Sequence, residues 1–169
     1  MKSGSDPNSI KSGSDPDSFR EEVEDLYAEY AEVIDGGELE RWPELFVEPC
    51  LYRIVSKENY DKGLSLSLMR CESLGMLKDR AFASQKLNVY GPRTWRHSIT
   101  QIRAGAQGDE IAARANFAVF ETLHDQHTRI LCTGRYLDRL VRTPVGLRFR
   151  EKICVYDSPL IPGSIVLPL

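Results

Sequence analysis

Three histidines, His97, His124 and His127, are the side chains of this sequence best suited to accept a proton or hold a metal near neutral pH. His124-Asp125-Gln126-His127 has the makings of a two-histidine, one-carboxylate iron site. Such a site needs its ligands on rigid elements that converge on one point. These four residues instead separate two strand-like runs, so their place in the sequence predicts a solvated hairpin tip with diverging side chains. His97, between Arg96 and Ser98, is the histidine expected to be partly enclosed. With Tyr27, Tyr30, Asp35 or Asp79 it could supply the acid, base and oxyanion donor of an isomerase or dehydratase. Packing explains the same residues without chemistry, because Tyr27 and Tyr30 belong to an apolar helical stripe and His97 suits a structural or interface role.

Four cysteines, Cys50, Cys71, Cys132 and Cys154, are far apart and form no C-x-x-C pair. That pattern predicts reduced, buried thiols in a cytoplasmic protein. Neither a glycine-rich phosphate loop nor a nucleophile elbow nor a zinc-binding helix motif occurs. The net charge of −3 gives no electrostatic case for nucleic acid or an anionic membrane. Arg135, Arg139, Arg142, Arg148 and Arg150 lie along two neighbouring strand-like runs, and arginine is favoured at protein interfaces, so a partner surface fits them better. No apolar run approaches the roughly 20 residues that span a bilayer, and the polar first residues lack the apolar core of a secretory signal.

The elements that must position these groups come in two blocks. Residues 2–10 are nearly repeated at 11–19, rich in Ser, Gly and Pro, and residues 1–17 read as a disordered tail or expression remnant outside the fold. Residues 18–169 read as one domain, long enough to bury about two thirds of its unfolded surface. Ser18 and Glu21 give a capping box, followed by Phe19, Val23, Leu26, Tyr27, Tyr30 and Ile34 at helical spacing up to Gly36-Gly37. Glu38 to Phe46 suggests a shorter helical piece stopped by Glu48-Pro49, Cys50 to Ser56 a strand, and Leu64 to Ser73 a helix broken at Gly75. Ala81 to Tyr90 fits either state.

From Trp95 onward the pattern changes to alternation. Ile111, Ala113, Ala115, Phe117, Val119 and Leu123 share one parity, and Leu147, Phe149, Ile153 and Val155 another, as half-buried strands require. The loops at 124–127 and 143–146 suit hairpins and are too short for parallel crossovers. Helices first and long strands afterwards predict an α+β fold with helices packed on one face of a curved antiparallel sheet. The apolar, proline-punctuated stretch 158–169 is expected to dock on its own core or on a neighbour.

With these elements in place, a family resemblance emerges. Trp42-Pro43, Phe46, Cys50, Tyr52-Arg53, Asn59, Gly63-Leu64, Met76-Leu77-Lys78-Asp79-Arg80, Asn88-Val89-Tyr90 and Arg96-His97, in this order and spacing, resemble the small (beta) subunit of Rieske non-haem iron ring-hydroxylating oxygenases. Arg148-Phe149-Arg150-Glu151, Cys154-Val155-Tyr156-Asp157 and Leu167-Pro168-Leu169 continue the match, which spans residues 19–169. The pattern is most similar to subunits of oxygenases acting on aromatic carboxylates, terephthalate dioxygenase and salicylate 5-hydroxylase among them. The resemblance implies the cone-shaped fold of nuclear transport factor 2 and ketosteroid isomerase. It implies a catalytic alpha subunit as partner in an α3β3 hexamer, served by a ferredoxin and/or an NAD(P)H-dependent reductase. The Rieske [2Fe-2S] cluster and the mononuclear iron are expected in that alpha subunit, and no cofactor, metal or catalytic residue in this chain. Arg96, His97, Tyr156 and Asp157 are the expected polar contacts between subunits. Two rival readings stay open on the residues alone: a stand-alone isomerase or dehydratase with His97 as general base, and a cone-fold binding module.

Overall fold

The computed structural model describes residues 16–87, 90–161 and 165–169, with side chains from residue 19 onward. Its elements run α1 (Pro16–Asp35), a 3-10 turn (Trp42–Leu45), β1 (Phe46–Ser56), α2 (Lys57–Asp61), β2 (Met69–Cys71), α3 (Leu74–Phe82), a π-turn (Ala83–Leu87), β3 (Arg93–Gln107), β4 (Glu110–Leu123), β5 (Arg129–Thr143) and β6 (Gly146–Tyr156). The expected tail at 1–17 lies outside the described residues except for Pro16 and Asp17. Those two open α1, since proline suits a first helical position where its missing N–H is not needed. Ser18 therefore sits in the first turn instead of capping it.

One six-stranded sheet, in the order β2-β1-β6-β5-β4-β3, carries the fold. The meander β3 to β6 is antiparallel throughout, as the short loops require. The sheet as a whole is mixed, because β1 joins β6 in parallel. This pairing links strands far apart in sequence, so the loop lengths carried no sign of it. α1 covers one face and closes a cone-shaped α+β domain, while α2 reaches the other face at β5, where Asp61 lies 3.6 Å from Arg135. Val23, Leu26, Tyr27, Tyr30, Val33 and Ile34 of α1 are all buried there, the apolar stripe that the helical spacing called for.

The first half of the chain departs from expectation in two places. The helical piece at 38–46 shrinks to the 3-10 turn, and β1 starts at Phe46, with Pro49 inside it at an irregularity in its pairing with β6. A strand tolerates proline where no ladder N–H is required. The expected helix at 64–73 does not form. Leu64-Ser65-Leu66-Ser67-Leu68 has period two, not 3.6, and Met69–Cys71 pairs with Tyr52–Ile54 as β2. The helix starts later, where the Ser73 hydroxyl accepts a hydrogen bond from Met76 N–H at 3.2 Å and caps α3, leaving Gly75 inside the first turn.

A one-residue irregularity also inverts the parity of β6. Leu140 pairs with Phe149 and Arg139 with Glu151, so Arg150 is the extra residue. Past such a bulge the other set of side chains faces inward. Lys152, Cys154 and Tyr156 therefore point into the cone behind Leu147 and Phe149, while Ile153 turns to the opposite face, against the expected grouping. On β5, Gly134 is demanded by packing: a Cβ there would meet the Val155 carbonyl at 2.1 Å and the Phe117 ring at 2.8 Å.

Candidate functional site

The interior of the cone is where a pocket would be, and the structure fills it with rings. Tyr136 stacks between Phe117, at 4.5 Å, and Tyr27, at 5.9 Å; Tyr30 meets Phe149 edge-on at 5.7 Å, and Trp42 meets Tyr52 at 4.9 Å. Burial lifts the phenols of Tyr27, Tyr30, Tyr52 and Tyr136 well above the ordinary tyrosine range, so none is poised to ionise near neutral pH.

Two ionisable groups sit among these rings. Lys152 and Asp138 are wholly buried and paired at 3.1 Å, and Tyr27 Oη donates to the same carboxylate oxygen at 2.8 Å. The ammonium lies 3.4 Å from the centre of the Tyr136 ring and within 4.8 Å of Tyr30, Phe149 and Tyr27. That is an aromatic cage closed by the chain's own lysine. Burial raises Asp138, and the Lys152 charge is the main influence holding it down. Among the described residues, Asp138 Oδ1 and Tyr136 Oη have no hydrogen-bond partner.

The mouth of the cone is closed by the last described residues. Leu169 is buried; its N–H donates to Tyr52 Oη at 2.8 Å, and its carbonyl accepts from Tyr30 Oη at 2.5 Å. Leu167 is buried beside it, so residues 165–169 dock on the chain's own core. That is one of the two outcomes expected for the apolar stretch.

The sequence candidates divide in space. His97 and Asp35 do come together: Nδ1 lies 2.6 Å from Asp35 Oδ1, and the His97 backbone N–H donates to Oδ2 at 2.9 Å. The ring is fully enclosed, with Tyr30 edge-on at 6.4 Å and Trp95 at 6.3 Å, and its Nε2 meets no hydrogen-bond partner among the described residues. A general base must reach a substrate proton, and this nitrogen is buried away from solvent. The pair therefore ties α1 to β3. Asp79 is exposed on α3, away from this pair. Arg96 and Asp157 are exposed, and Asp157 accepts from the Thr133 hydroxyl at 3.0 Å, while Tyr156 is buried.

Among the described residues no three His, Cys, Asp or Glu side chains are placed to hold a metal. The donors present do not suit an iron–sulfur cluster either, since ligating cysteines must be thiolates. Here burial pushes Cys50 up to about 11 and Cys132 and Cys154 up to about 12. His124 and His127 are exposed at the β4–β5 turn. Sequence reasoning missed the Lys152–Asp138 pair, and the signal for it was Glu151: strict alternation from Leu147 would have buried that charge. It also passed over Glu121, which stands on the apolar parity of β4 and is buried against Arg93 at 3.1 Å, Arg129 at 2.7 Å and Trp95 Nε1 at 3.2 Å.

Comparison with known proteins matches residues 18–152 to the SnoaL-like domain. The chain is 36% identical to the anthranilate 1,2-dioxygenase small subunit of Burkholderia cepacia, over 88% of this chain and 92% of that protein. It is 32% identical to the beta 2 subunit of the terminal oxygenase component of terephthalate 1,2-dioxygenase from a Comamonas species, covering 84% and 93%. Among solved structures, a Novosphingobium aromaticivorans chain assigned as the beta subunit of an aromatic-ring-hydroxylating dioxygenase superimposes with a TM-score of 0.82. That chain is 35% identical, covering 90% of this chain and 98% of its own.

Proposed function

Because this chain belongs to the SnoaL-like domain family and, within it, to the small subunits of aromatic-ring-hydroxylating dioxygenases, we infer that it is the structural beta subunit of such an oxygenase, built from residues 18–169 as one domain. The observation that carries the reading is the sealed cone. His97, the side chain best suited to act as a base, spends Nδ1 on Asp35 and keeps Nε2 buried.

In this reading the chain assembles with a catalytic alpha subunit as an α3β3 hexamer in the cytoplasm. The Rieske cluster and mononuclear iron belong to that partner, which receives electrons from a ferredoxin and/or an NAD(P)H-dependent reductase. Anthranilate and terephthalate, named for two relatives, both carry a ring carboxylate, so the substrate class is an aromatic carboxylate. Arg96 and Asp157 are the exposed polar contacts of the assembly, with Tyr156 and His97 fixing the strands behind them. Co-expression with the large subunit and native mass measurement is the test, and three copies of each chain are expected. Turnover of benzoate-class substrates should require both chains and survive His97→Ala within about threefold. If the isolated chain turns over a substrate and His97→Ala abolishes that, the structural reading is wrong.

A further inference from the structure

A strained residue in β3 decides which side chains meet on the outer face of the sheet. Thr100 pairs with Asn116 and Arg103 with Arg114, so Gln101 and Ile102 together stand against the single Ala115. Gln101 takes the left-handed backbone region, at φ 53°, which is uncommon for a residue with a side chain. Without this bulge Ile102 would oppose Arg114; with it, Arg103 does. Both arginines are exposed, and among the described residues neither meets a carboxylate or another hydrogen-bond acceptor. Like charges opposed across a ladder destabilise it. The chain therefore carries backbone strain whose result is a repulsive pair, and strain of that kind clusters at active sites and ligand clamps.

The register continues this row across the sheet as Arg103, Arg114, Leu137 and Ile153, two cations followed by two half-buried apolar side chains. Two hollows, of about 640 and 440 Å³, share Arg103, Arg114 and Leu137 as walls. Arg135, Gln101 and Asn116 also line the smaller one, and among the described residues no carboxylate does. Arg135 Nε is buried without a hydrogen-bond partner among the described residues, and Asn116 Nδ2 donates to Gln101 Oε1 at 2.8 Å. The larger hollow has Leu137 and Ile153 in its wall, with Tyr60 of α2 beside them. The acids that line it are already engaged, Asp138 by Lys152 at 3.1 Å and Glu151 by Arg139 at 3.6 Å.

The order of the row states what would fit it. Neighbouring strands lie about 4.8 Å apart, so an anionic group between Arg103 and Arg114 has Leu137 one strand away and Ile153 two. A carboxylate borne directly on a flat apolar ring matches that order. Its oxygens pair with the guanidinium forks, and its ring lies over Leu137 and Ile153 beside Tyr60. A bare oxyanion would leave the apolar half of the row uncovered, and a neutral ring would leave the two like charges uncompensated. We propose that the hollow at Arg103 and Arg114 is a binding site for an aromatic carboxylate. The choice of ring rests on the substrate class read above, whereas the anion site does not.

The experiment titrates the full chain by calorimetry at low salt with benzoate, acetate, benzamide and inorganic phosphate. Benzoate should saturate a single site, with acetate, which lacks the ring, and benzamide, which lacks the charge, at least about 10-fold weaker. Arg103→Gln/Arg114→Gln should weaken benzoate by at least about 10-fold as well. Both replaced side chains are exposed and unpartnered, so the variant folds. With the repulsion gone it should melt no lower than wild type, and benzoate should raise the melting temperature of the wild type alone. Benzoate that fails to saturate, or phosphate or acetate that binds as tightly, would overturn the site. In the co-expressed assembly the wild type should bind one benzoate more per small subunit than the variant. Equal stoichiometry, or a variant that no longer assembles, would make this face a subunit contact and overturn the ligand site while the subunit reading stands. If benzoate binds here and the assembly turns over no aromatic carboxylate, the site stands and the substrate reading falls.

Discussion

Replacing Lys152 by methionine isolates the energetics of the cone interior. The side chains have similar length, and a thioether packs well against aromatic rings, so Tyr136, Tyr30, Phe149 and Tyr27 keep their neighbour. What disappears is the charge 3.1 Å from Asp138. The carboxylate keeps the Tyr27 hydroxyl at 2.8 Å but stays wholly buried with no cation. Breaking a buried pair from one side costs about 3–5 kcal/mol. With a urea slope of about 2 kcal/mol per molar, the midpoint should fall by about 2 M. Trp42 and Trp95 are both buried, so intrinsic fluorescence reports the transition. The pH dependence has a definite sign. Burial raises Asp138 in the folded state, and removing Lys152 removes the main influence opposing that rise. Between the unfolded value of about 4 and the raised folded value, the folded variant binds more protons than the unfolded one, so its stability falls as pH rises. The deficit against wild type should therefore be larger at pH 8 than at pH 5. Lys152→Met/Asp138→Leu should recover most of the loss, because an apolar pair leaves no uncompensated charge. A loss below about 1 kcal/mol for Lys152→Met, flat from pH 5 to pH 8, would refute the reasoning.

Tyr30→Phe removes the hydroxyl that donates to the Leu169 carbonyl at 2.5 Å, and should cost about 1–3 kcal/mol in a urea melt, since that buried carbonyl is left with weaker partners. The thiols of Cys132 and Cys154, pushed up to about 12, should react with a disulfide reagent at pH 8 at least about 1,000-fold more slowly in the folded chain than in urea. Above the free thiol's value of about 8.5 the unfolded chain sheds these protons and the folded one keeps them, so stability should decline as pH rises from 8.5 towards 12. A midpoint that is flat across that range would contradict the burial of both groups.

Periodicity made the meander and α1 legible, because both are governed by one face meeting a core. Ile111, Ala113, Ala115, Phe117 and Val119 are all buried, and so are Val23, Leu26, Tyr27 and Tyr30. What stayed hidden depends on partners distant in sequence. The parallel pairing of β1 with β6, the strand character of Met69–Cys71 and the bulge at Arg150 are each fixed by a neighbour that no local window contains. The bulge mattered most for the site, since one residue of slippage carried Lys152 inward to the centre of the core. Asp35 and His97 were both candidates, but only α1 lying against β3 brings them to 2.6 Å.

A cone-shaped sheet can give its interior to a ligand or to its own core, and this chain gives it to the core. The filling is not economical for a lone chain. Asp138 Oδ1, Tyr136 Oη, His97 Nε2 and Trp42 Nε1 are left without partners among the described residues, and each such group costs about 1–3 kcal/mol. Two like charges oppose each other outside, on β3 and β4. A chain that works alone has to offset those costs within its own contacts. A subunit does not, because a partner that binds only the folded form adds its binding energy to that form's stability. The unpartnered polar groups inside and the opposed guanidinium groups of Arg103 and Arg114 outside are both costs that binding to a partner can offset. The interior is closed to substrate, and the stability these costs remove from a lone chain is what binding to a partner adds back.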